Sequence, residues 1–488
     1  MSRRVALLSV GFVLVLALSP TGPSAAGDRP GPSVVAPAGT TGVRLGGASS
    51  DAGPAPGEPP APVAPSPEAA RGAGGAGCND AWRHAGGTPG RDGRSDELGP
   101  ATAELLWSGG RPSIIAWQPV VDGERVFMVR QTAFGSVPDG SPVVAMDLAS
   151  GAELWAVHIP YESGDWTTWI AAADRGKVYA SRAGNGSSVS APLYALSQVD
   201  GAVAWGSADE VDAGGYDGVV LAPDGDLLVG NFTRLLRIRA ADGTTAWGAD
   251  RVCSVSSSCG AATFGDAVYV ADAAPGGHVL VRFDLATGAR QYESPVMTGF
   301  TLQNTPFVGA DGTVYLVRTQ NNVATDYLYA FEDTGTGFVE RWHVAAAWTT
   351  FSESALGPDG AVYAFASGYE LVRLDPATGV PTATAGLLPD CASPRMATDG
   401  DGRLYLGNGG FAAGRLRVFD AALQPLWDVA VPNLNIGAPA IGRRGTLVVC
   451  GIGTDVRAYR APDALPACAL FADGFETGDT SRWSGATP

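Results

Sequence analysis

Histidine and cysteine, the side chains that enzymes most often use for proton transfer and metal binding, are scarce in this chain. Its 488 residues include 4 histidines and 6 cysteines. No Cys-x-x-Cys pair occurs, and the histidines lie without the short spacing of zinc ligands, at His84, His158, His278 and His343. No nucleophile-elbow or paired-histidine motif is present either. The sequence therefore predicts no zinc site and gives no support to a hydrolase or a lyase.

Positive charge is also sparse. Lys177 is the single lysine, and 32 lysine and arginine residues stand against 49 acidic ones, which gives a formal net charge of −17. A protein that binds the phosphate backbone needs a basic face. We therefore expect no nucleic-acid partner.

Long apolar runs are missing except at the amino terminus. Arg3 and Arg4 precede an apolar stretch from Val5 to about Leu18, and small residues follow up to Ala26. This layout is typical of a secretory signal peptide, and no later stretch has the roughly 20 apolar residues of a membrane helix. A lipid anchor needs a cysteine at the cleavage site, whereas the first cysteine is Cys78. We expect an exported protein without a membrane span, in the periplasm, on the outer cell surface or outside the cell.

Cysteines in an exported chain indicate disulfides, although sequence alone leaves their pairing open. Cys253 and Cys259 bracket a short loop, so local geometry favours that pair. Cys78 and Cys468 lie just outside the first and last predicted strands. We predict the disulfides Cys253–Cys259, Cys78–Cys468 and Cys391–Cys450.

The composition divides the chain into four parts. Residues 1–26 are the predicted signal peptide, and residues 27–77 are mostly proline, alanine, glycine and serine, which predicts a disordered tether. A repeated pattern fills residues 78–468. Residues 469–488 form a tail whose Asp473-Gly474-Phe475-Glu476 resembles a tail found at the end of many bacterial secreted proteins.

One unit of sequence recurs along residues 78–468. It starts with a glycine turn, usually Asp-Gly, and an apolar strand, and it continues to a strand ending near aspartate, a Thr-Gly-type turn and a closing strand. Glycine and aspartate suit tight hairpins, and the Val, Leu and Tyr runs suit half-buried strands. The first apolar strands contain Val126, Val178, Leu227, Val268, Val314, Val362, Leu404 and Leu447. The closing strands contain Trp155, Trp205, Trp247, Tyr292, Trp342 and Trp427, and the copy near Thr382 has no aromatic residue.

Units of roughly 41 to 50 residues with four strands match the blades of a β-propeller, which bury their faces only against neighbouring blades. The last unit ends near Tyr459 without a closing strand, whereas an unmatched closing strand with Trp107 precedes the first unit. The sequence therefore predicts an all-β, eight-bladed propeller of four-stranded antiparallel blades, closed by the strand around Trp107. A seven-bladed ring is the alternative, since the copies at Tyr292 and Thr382 are weak.

Two stretches of the repeat, Asp147–Trp155 and Asp284–Gly288, resemble the repeat of the PQQ-like (pyrroloquinoline-quinone) β-propeller family. The segments Trp82–Gly87 and Leu98–Pro100 resemble its usual entry segment, and the likeness extends over residues 78 to about 460. It implies one of two functions. One is a noncatalytic binding or scaffold protein of the cell envelope, as in the propeller subunit of the outer-membrane protein assembly machine. The other is a PQQ- and calcium-dependent quinoprotein dehydrogenase that oxidises alcohols or aldose sugars.

We favour the noncatalytic class, without catalytic residues and without a cofactor. Alcohol dehydrogenases of this family carry two adjacent cysteines in a vicinal disulfide over the cofactor, and no Cys-Cys pair exists here. The stretch Asp399-Gly400-Asp401-Gly402 is similar to part of a calcium loop, but it lacks the later carboxylates and coincides with a repeat turn. We read it as a hairpin turn and predict no metal site.

The tryptophans at the repeated position are interpreted as wedges between adjacent sheets, because a large ring buries much apolar area there. Other tryptophans and several amides lie in or near the connections from an outer strand to the next inner strand. Such connections share a propeller face with the loops between second and third strands, and function tends to lie on such loops. We expect a protein or carbohydrate ligand to contact Trp117, Trp166, Trp169, Gln303, Asn304, Trp348, Asn433 and Asn435.

Overall fold

The structure is a computed structural model. It describes residues 81–109, 115–116, 119–131, 141–161, 167–183, 190–212, 219–253, 260–298, 302–303, 305–319, 327–347, 354–388, 394–410, 413–431, 439–451 and 456–461. All of these residues belong to one compact unit, Ala64–Pro488. Eight antiparallel sheets account for nearly all of its secondary structure. Among these residues, no helix is long and apolar enough to cross a membrane.

The eight sheets are the blades of a β-propeller, numbered here in chain order, with strands A to D from the centre outward. Blade 1 has strands at Val120–Asp122, Arg125–Gln131, Val143–Asp147 and Glu153–Val157, plus a short strand at Ile115–Ala116. Blade 2 has strands at Thr167–Asp174, Lys177–Ala183, Ser190–Ser197 and Val203–Asp212. Blade 3 has strands at Val219–Leu221, Leu227–Gly230, Arg234–Ile238 and Thr245–Asp250. Blade 4 has strands at Ala262–Phe264, Ala267–Ala274, Gly277–Asp284 and Arg290–Glu293, plus Met297–Thr298.

Blades 5 to 8 repeat this arrangement. Blade 5 has strands at Phe307–Val308, Val314–Thr319, Tyr327–Asp333 and Phe338–Ala345, plus Leu302–Gln303. Blade 6 has strands at Ala355–Leu356, Val362–Ala366, Glu370–Leu374 and Pro381–Leu387. Blade 7 has strands at Arg395–Thr398, Leu404–Gly410, Ala413–Phe419 and Pro425–Ala430. Blade 8 has strands at Ala440–Gly442, Thr446–Cys450, Val456–Tyr459 and Leu105–Gly109, with a short 3₁₀ helix at Arg443–Gly445.

The ring is closed by the amino-terminal strand. Leu105–Gly109 forms strand D of blade 8 and pairs antiparallel with strand C, so that Leu105 lies opposite Tyr459 and Gly109 opposite Val456. A closed propeller leaves only short, protected sheet edges. The predicted eight-bladed fold, including its closure by the strand around Trp107, is confirmed.

Burial explains why inner and outer strands differ in sequence. Every residue of Leu227–Gly230, strand B of blade 3, is buried, and its sequence is continuously apolar or small. By contrast, Glu153–Val157, strand D of blade 1, alternates between half-buried and exposed positions. Inner strands have neighbours on both faces, while outer strands face solvent on one side.

The repeated tryptophans lie between adjacent blades, as the wedge interpretation expects. The Trp247 indole N–H donates a 3.0 Å hydrogen bond to the Leu285 carbonyl in the C–D turn of the next blade. A Cβ on Gly288 of that turn would lie 2.5 Å from the Trp247 ring, so glycine lets the turn rest on the ring. The same indole-to-carbonyl bond joins Trp107 to Leu148, Trp155 to Gln198, Trp205 to Ala240 and Trp342 to Pro376.

Three junctions depart from this pattern. Between blades 7 and 8, the Trp427 indole N–H donates a 3.2 Å bond to the Pro100 carbonyl, which lies outside the blades, and not to a C–D turn. Between blades 4 and 5, Tyr292 replaces tryptophan, and its hydroxyl donates to the Asp333 carboxylate, which also accepts a 2.7 Å bond from the Tyr269 hydroxyl. Between blades 6 and 7, Ala383 occupies the tryptophan position. Leu423 of the next C–D turn, with a positive φ of 62°, belongs to the apolar cluster against which Ala383 packs. A larger residue on the turn thus accompanies a smaller one on the strand.

Candidate functional site

The two ends of the ring differ in how much chain they carry. The A–B and C–D turns lie at one end, which we call the turn end. The longer D–A connections and B–C loops lie at the other, which we call the loop face. Most of the loop face, including residues 132–140, 213–218 and 432–438, lies outside the described residues.

The centre of the turn end is filled by the chain's own Ala81–Pro100, which we call the plug segment. Its backbone hydrogen-bonds to the inner strands of successive blades around the ring. At blade 8, the Leu98 carbonyl oxygen lies so close to Gly445 that a Cβ on Gly445 would collide with it. The backbone pairs are Trp82 with Val121, Arg83 with Ala173, Pro89 with Thr263, Gly90 with Val308, Asp92 with Leu356, and Gly93 with Thr398. The plug segment therefore closes the central channel at this end.

Arg91 connects the plug segment to the remaining blade. Its guanidinium group is buried and donates a 2.7 Å hydrogen bond to the Val219 carbonyl of blade 3 and a 2.6 Å bond to the Ala261 carbonyl beside blade 4. Burial, reinforced by the Arg91 cation, lowers the pKa of the neighbouring His84 to about 3. His84 is therefore neutral at physiological pH, and its Nδ1 lies 2.9 Å from the Ala85 carbonyl oxygen. The plug segment therefore contacts all eight blades.

Asp399 fastens the carboxyl-terminal part of the plug segment. One carboxylate oxygen accepts bonds from the Gly99 N–H at 3.0 Å, the Tyr405 hydroxyl at 3.0 Å and the Arg403 guanidinium at 2.9 Å. The other accepts the N–H groups of Asp401 and Arg403. Burial raises the pKa of Asp399, and the Arg403 cation opposes that rise. The stretch that is similar to a calcium loop is thus the A–B turn of blade 7, and its first carboxylate is held by the turn and the plug.

At the loop face, buried arginines fix where the D–A connections begin. Arg182 of blade 2 is 1% exposed and donates to the carbonyls of Ile159 and Pro160, the latter at 2.8 Å. Arg251, just after blade 3, donates to the Asp272 carboxylate of blade 4 at 3.0 Å. Each contact joins the end of one blade to the next blade.

These anchoring residues share one position of the repeat, which sequence reasoning did not use. Arg182 and Asp272 each follow the first valine of strand B by the same interval, and so does Arg130, whose guanidinium lies 2.5 Å from the Glu153 carboxylate. A polar residue that recurs at the end of an otherwise apolar strand is the signal that identifies them. Arg182 and Asp272 join one blade to the next, whereas Arg130 pairs with strand D of its own blade.

The structure places two of the predicted ligand contacts. Trp169 lies within strand A of blade 2 rather than in a connection; it is 2% exposed, and its indole N–H bonds to the Arg182 carbonyl at 3.0 Å. Its ring packs in the core between blades 2 and 3, so its assignment to the ligand face is corrected. Gln303 lies on the short strand Leu302–Gln303 that pairs with strand B of blade 5. The other predicted contacts lie outside the described residues and stay predictions: Trp117, Trp166, Asn304, Trp348, Asn433 and Asn435.

One predicted disulfide is also corrected. Cys450 carries a free, fully buried thiol, 3.9 Å from the Met128 sulfur in the apolar core between blades 8 and 1. Burial raises the pKa of this thiol. Its side chain points into the core rather than toward a connection, so the pairing with Cys391 does not hold in this structure. The pairs Cys253–Cys259 and Cys78–Cys468 stay predictions, since Cys259, Cys78 and Cys468 lie outside the described residues.

The donors in the described part of the ring do not fit PQQ with calcium. Among these residues, no group of three or more histidine, cysteine or acidic side chains could hold a metal ion. Asp272, a buried carboxylate near the loop face, is paired with Arg251 and Arg290. A quinone cofactor needs protein groups that orient it and tune its electronics. The buried charges described here are engaged in holding blades together instead.

Solved structures with the same fold include two dehydrogenases. A europium-containing methanol dehydrogenase is 12% identical, with a TM-score of 0.52 over 77% of this chain and 90% of that chain. The quinohemoprotein alcohol dehydrogenase from Comamonas testosteroni is 12% identical, with a TM-score of 0.50 over 79% and 81%. BamB from Moraxella catarrhalis is 14% identical, with a TM-score of 0.45 over 68% and 94%. For the two dehydrogenases, similarity at this identity shows the fold alone.

No curated protein sequence matches the chain. A family model does match, and its description is "Outer membrane protein assembly factor BamB". The match extends over residues 139–382, which is half of the chain and includes most of blades 1 to 6. Together with the ring of repeated blades and indole-to-carbonyl junctions, this match identifies the chain as a member of the PQQ-like propeller family.

Proposed function

We propose that this protein is an exported, noncatalytic binding or scaffold protein that recognises its ligand with the loop face of the ring. The plug segment is the observation that carries this proposal. It occupies the inner strands at the turn end, so a ligand that approaches the centre of the ring does so from the loop face. Recognition loops are commonly held in this way on a rigid scaffold.

The anchoring arginines support the same assignment. Arg182 and Arg251 hold the first residues of two D–A connections against the following blades, which orders the base from which these connections start. Preorganised loops bind with a smaller entropic cost than free ones. The side chains proposed to contact the ligand are mainly aromatic or amide, a composition that suits protein or carbohydrate ligands and provides no catalytic base: Trp117, Trp166, Gln303, Asn304, Trp348, Asn433 and Asn435.

A protein ligand is the form of this proposal that the family description favours, since it names an assembly factor for outer membrane proteins. We place the protein beyond the inner membrane because of the signal-peptide pattern in residues 1–26. Residues 27–77 then serve as a tether, and residues 469–488 form a tail motif.

Site-specific photo-crosslinking in the native host tests this proposal. A photoreactive phenylalanine analogue replaces Trp166 or Trp348, which we predict to lie on the loop face, one at a time, in the full-length chain. The matched control carries the same analogue at Val199, which is 69% exposed in the C–D turn of blade 2 at the opposite end. We expect the same discrete adduct from both loop-face positions and none from Val199.

Adducts formed only from Val199, or equally from all three positions, would contradict recognition by the loop face. Mass spectrometry of the adduct distinguishes a protein ligand from a glycan. Melting temperatures of the three substituted proteins confirm that each retains the ring.

A further inference from the structure

The A–B turn of blade 8 differs in charge from those of the other seven blades. Each of those seven has an aspartate in the turn or at the strand end beside it: Asp122, Asp174, Asp224, Asp266, Asp311, Asp359 and Asp399. The blade 8 turn is Gly442-Arg443-Arg444-Gly445, without an acidic residue. Arg443 pairs with Glu124 of blade 1 at 3.0 Å, whereas Arg444 is exposed and has no ion-pair partner in the described part of the ring. The turn end of blade 8 therefore carries an unpaired positive charge on a molecule with a formal net charge of −17.

Two exposed leucines lie at the same end of blade 8. Leu98 of the plug segment is 44% exposed, and its backbone passes directly over Gly445. Leu105 is 50% exposed and begins strand D of blade 8. We call Leu98, Leu105 and Arg444 the seam surface, because the amino-terminal strand joins the last blade here. Exposed apolar side chains beside a charged group are typical of interaction sites.

Strand C of blade 8 ends at Tyr459, next to the seam surface. The Arg460 N–H donates a 3.2 Å hydrogen bond to the Glu104 carbonyl, directly before Leu105. The tail at residues 469–488 begins nine residues after Arg460, and nine residues span at most about 30–32 Å. Neighbouring strands lie about 4.8 Å apart, so the whole turn end of one blade is about 15 Å wide. The tail can therefore reach every part of the seam surface.

The sequence of the tail is complementary to the seam surface. Its apolar residues include Phe471 and Phe475, and its acidic residues include Asp473 and Glu476. Aromatic rings bury a large apolar area, and a carboxylate beside an arginine accepts charge-assisted hydrogen bonds. The tail thus offers a partner for the exposed leucines and another for the unpaired arginine.

We propose that residues 469–488 bind the seam surface of their own chain. The phenylalanines of the tail cover Leu98 and Leu105, and its acidic residues pair with Arg444. The tail is favoured over a second copy because a short linker holds it at an effective concentration on the order of millimolar, while two copies of net charge −17 repel each other. The bound tail lies across the segment through which the amino-terminal strand enters blade 8. It therefore stabilises the closure of the ring.

Hydrogen exchange of the full-length chain, measured by mass spectrometry, tests this proposal at two protein concentrations about a hundredfold apart. Arg444→Glu reverses the charge on the seam surface, and Phe475→Ser changes the tail alone. The matched control is Arg175→Glu in the A–B turn of blade 2. Arg175 also has a positive φ, 47° against 58° for Arg444, but it lies 3.4 Å from the Asp174 carboxylate.

We expect the backbone amides of residues 470–478 to exchange at least about tenfold more slowly in the natural chain and in Arg175→Glu than in Arg444→Glu or Phe475→Ser. This difference should be the same at both concentrations. The two variants that release the tail should also exchange faster at residues 101–108, because the closing strand loses its cover.

Reversing the charge of the tail as well, by Asp473→Arg and Glu476→Arg, should restore the protection in Arg444→Glu. Unprotected amides at residues 470–478 of the natural chain overturn the proposal, as does equal protection in Arg444→Glu and Arg175→Glu. Protection that appears only at the higher concentration would show that the tail binds a second copy, which also overturns it. If Arg444→Glu lowers the melting temperature more than the control does, the substitution in the tail decides, because unchanged protection there overturns the proposal.

Discussion

Asp92 carries its carboxyl group into the middle of the plug segment. The carboxylate accepts a 2.8 Å hydrogen bond from the Thr88 hydroxyl and a 3.1 Å bond from the Arg94 N–H. Burial nevertheless dominates and raises the pKa of Asp92 from 3.8 to about 6, with Asp96 adding a small repulsion. A carboxyl group whose pKa is higher in the folded state stabilises the fold when it is protonated, and this contribution fades as the pH rises through the folded-state value.

The substitution Asp92→Asn should therefore remove a pH dependence. We expect the natural chain to lose stability between about pH 4 and pH 6, by an amount on the order of 1–3 kcal/mol, while the asparagine variant does not. Urea unfolding at pH 4.5 and pH 8 measures the difference, which should favour the variant at pH 8 and nearly vanish at pH 4.5. Equal differences at the two pH values would contradict the assignment to Asp92.

Glycine has two separable roles in the turns of blade 4, at Gly288 between strands C and D and at Gly276 between strands B and C, and a pair of substitutions distinguishes them. Gly288 has a φ of 72°, and a Cβ there would lie 2.5 Å from the Trp247 ring. Gly276 has a φ of 86° with no heavy atom within 4 Å of such a Cβ. Gly276→Ala should cost about 1–2 kcal/mol for the left-handed backbone alone. Gly288→Ala should cost about 1–3 kcal/mol more, because the ring must shift.

Denaturant unfolding with tryptophan fluorescence measures both costs. The two glycines belong to the same blade and share the backbone penalty, so Gly276→Ala is the matched control. Equal destabilisation by the two substitutions would show that the turn does not rest on the Trp247 ring.

At the junction between blades 6 and 7, the small residue lies on strand D and the large one on the next turn. At five other junctions a tryptophan on strand D rests against a glycine of the next turn, whereas here Ala383 stands on the strand and Leu423 on the turn. Leu423 is 1% exposed and adopts a positive φ, which costs a leucine about 1–2 kcal/mol. The Leu423 side chain offsets this cost by filling space that would otherwise be empty without an indole ring.

A double-mutant cycle should reveal this compensation. Ala383→Trp overfills the junction and should destabilise by about 1–3 kcal/mol. Leu423→Gly opens a cavity, which should destabilise the fold by about 2–4 kcal/mol. Glycine relieves the strain of the positive φ, so the net cost is smaller. The double substitution should cost at least about 1 kcal/mol less than the sum of the two. Leu423→Gly combined with Gly276→Ala in blade 4 is the control and should be additive, and additivity in both pairs would contradict the compensation.

Sequence reasoning succeeded for elements whose side chains repeat and failed where a single copy departs from the repeat. Eight copies of one pattern establish the blades, and the unmatched Trp107 reveals the closure. Trp169 was misplaced because strand A of blade 2 has 8 residues against 3 in blade 1, so it begins inside what the repeat presents as a connection. Cys450 ends the wholly buried strand Thr446–Cys450, a pattern that by itself indicates core rather than a disulfide.

The plug segment could not be predicted in the same way. Its contacts with the ring are mostly backbone hydrogen bonds to strands far apart in the sequence, and such bonds leave no side-chain pattern. In the sequence, only the resemblance of Trp82–Gly87 and Leu98–Pro100 to a family entry segment indicates the plug segment. The side chains that contact the ligand are hard to predict for a different reason, because the connections that carry them vary independently of the repeat.

For the molecule as a whole, successive truncations should separate tether, plug and closure. Removing residues 27–77 should leave the melting temperature nearly unchanged, because these residues offer little to bury. Removing residues 27–100 should lower it clearly, since Trp82 and the bonds of the plug segment to the inner strands are lost. Removing residues 27–109 should cause unfolding or aggregation, because blade 8 loses strand D. Circular dichroism melting measures all three, and equal melting of the first and last chains would rule out the closure.

The second prediction at this scale concerns the cofactor that the family name suggests. We expect no tight binding of PQQ, because the buried charges described in the ring are already paired with one another or with the backbone. Tryptophan fluorescence during titration with PQQ and about millimolar calcium measures binding, and dye reduction with alcohols and aldose sugars measures turnover. A PQQ-dependent dehydrogenase is the positive control. Submicromolar binding with substrate-dependent dye reduction would make the protein an oxidoreductase.

The closure of blade 8 has a consequence for biosynthesis. The plug segment and strand Leu105–Gly109 are made before all eight blades, yet their partners in blade 8 are made last. Contacts between distant parts of a chain form slowly, because the intervening chain must be ordered first. A chain that stops before Tyr459 leaves Trp82 and Trp107 without the blade 8 core that buries them in the finished ring. The Trp82 and Trp107 indoles are therefore buried only when the ring is complete. A truncated chain exposes apolar surface that proteases and chaperones recognise.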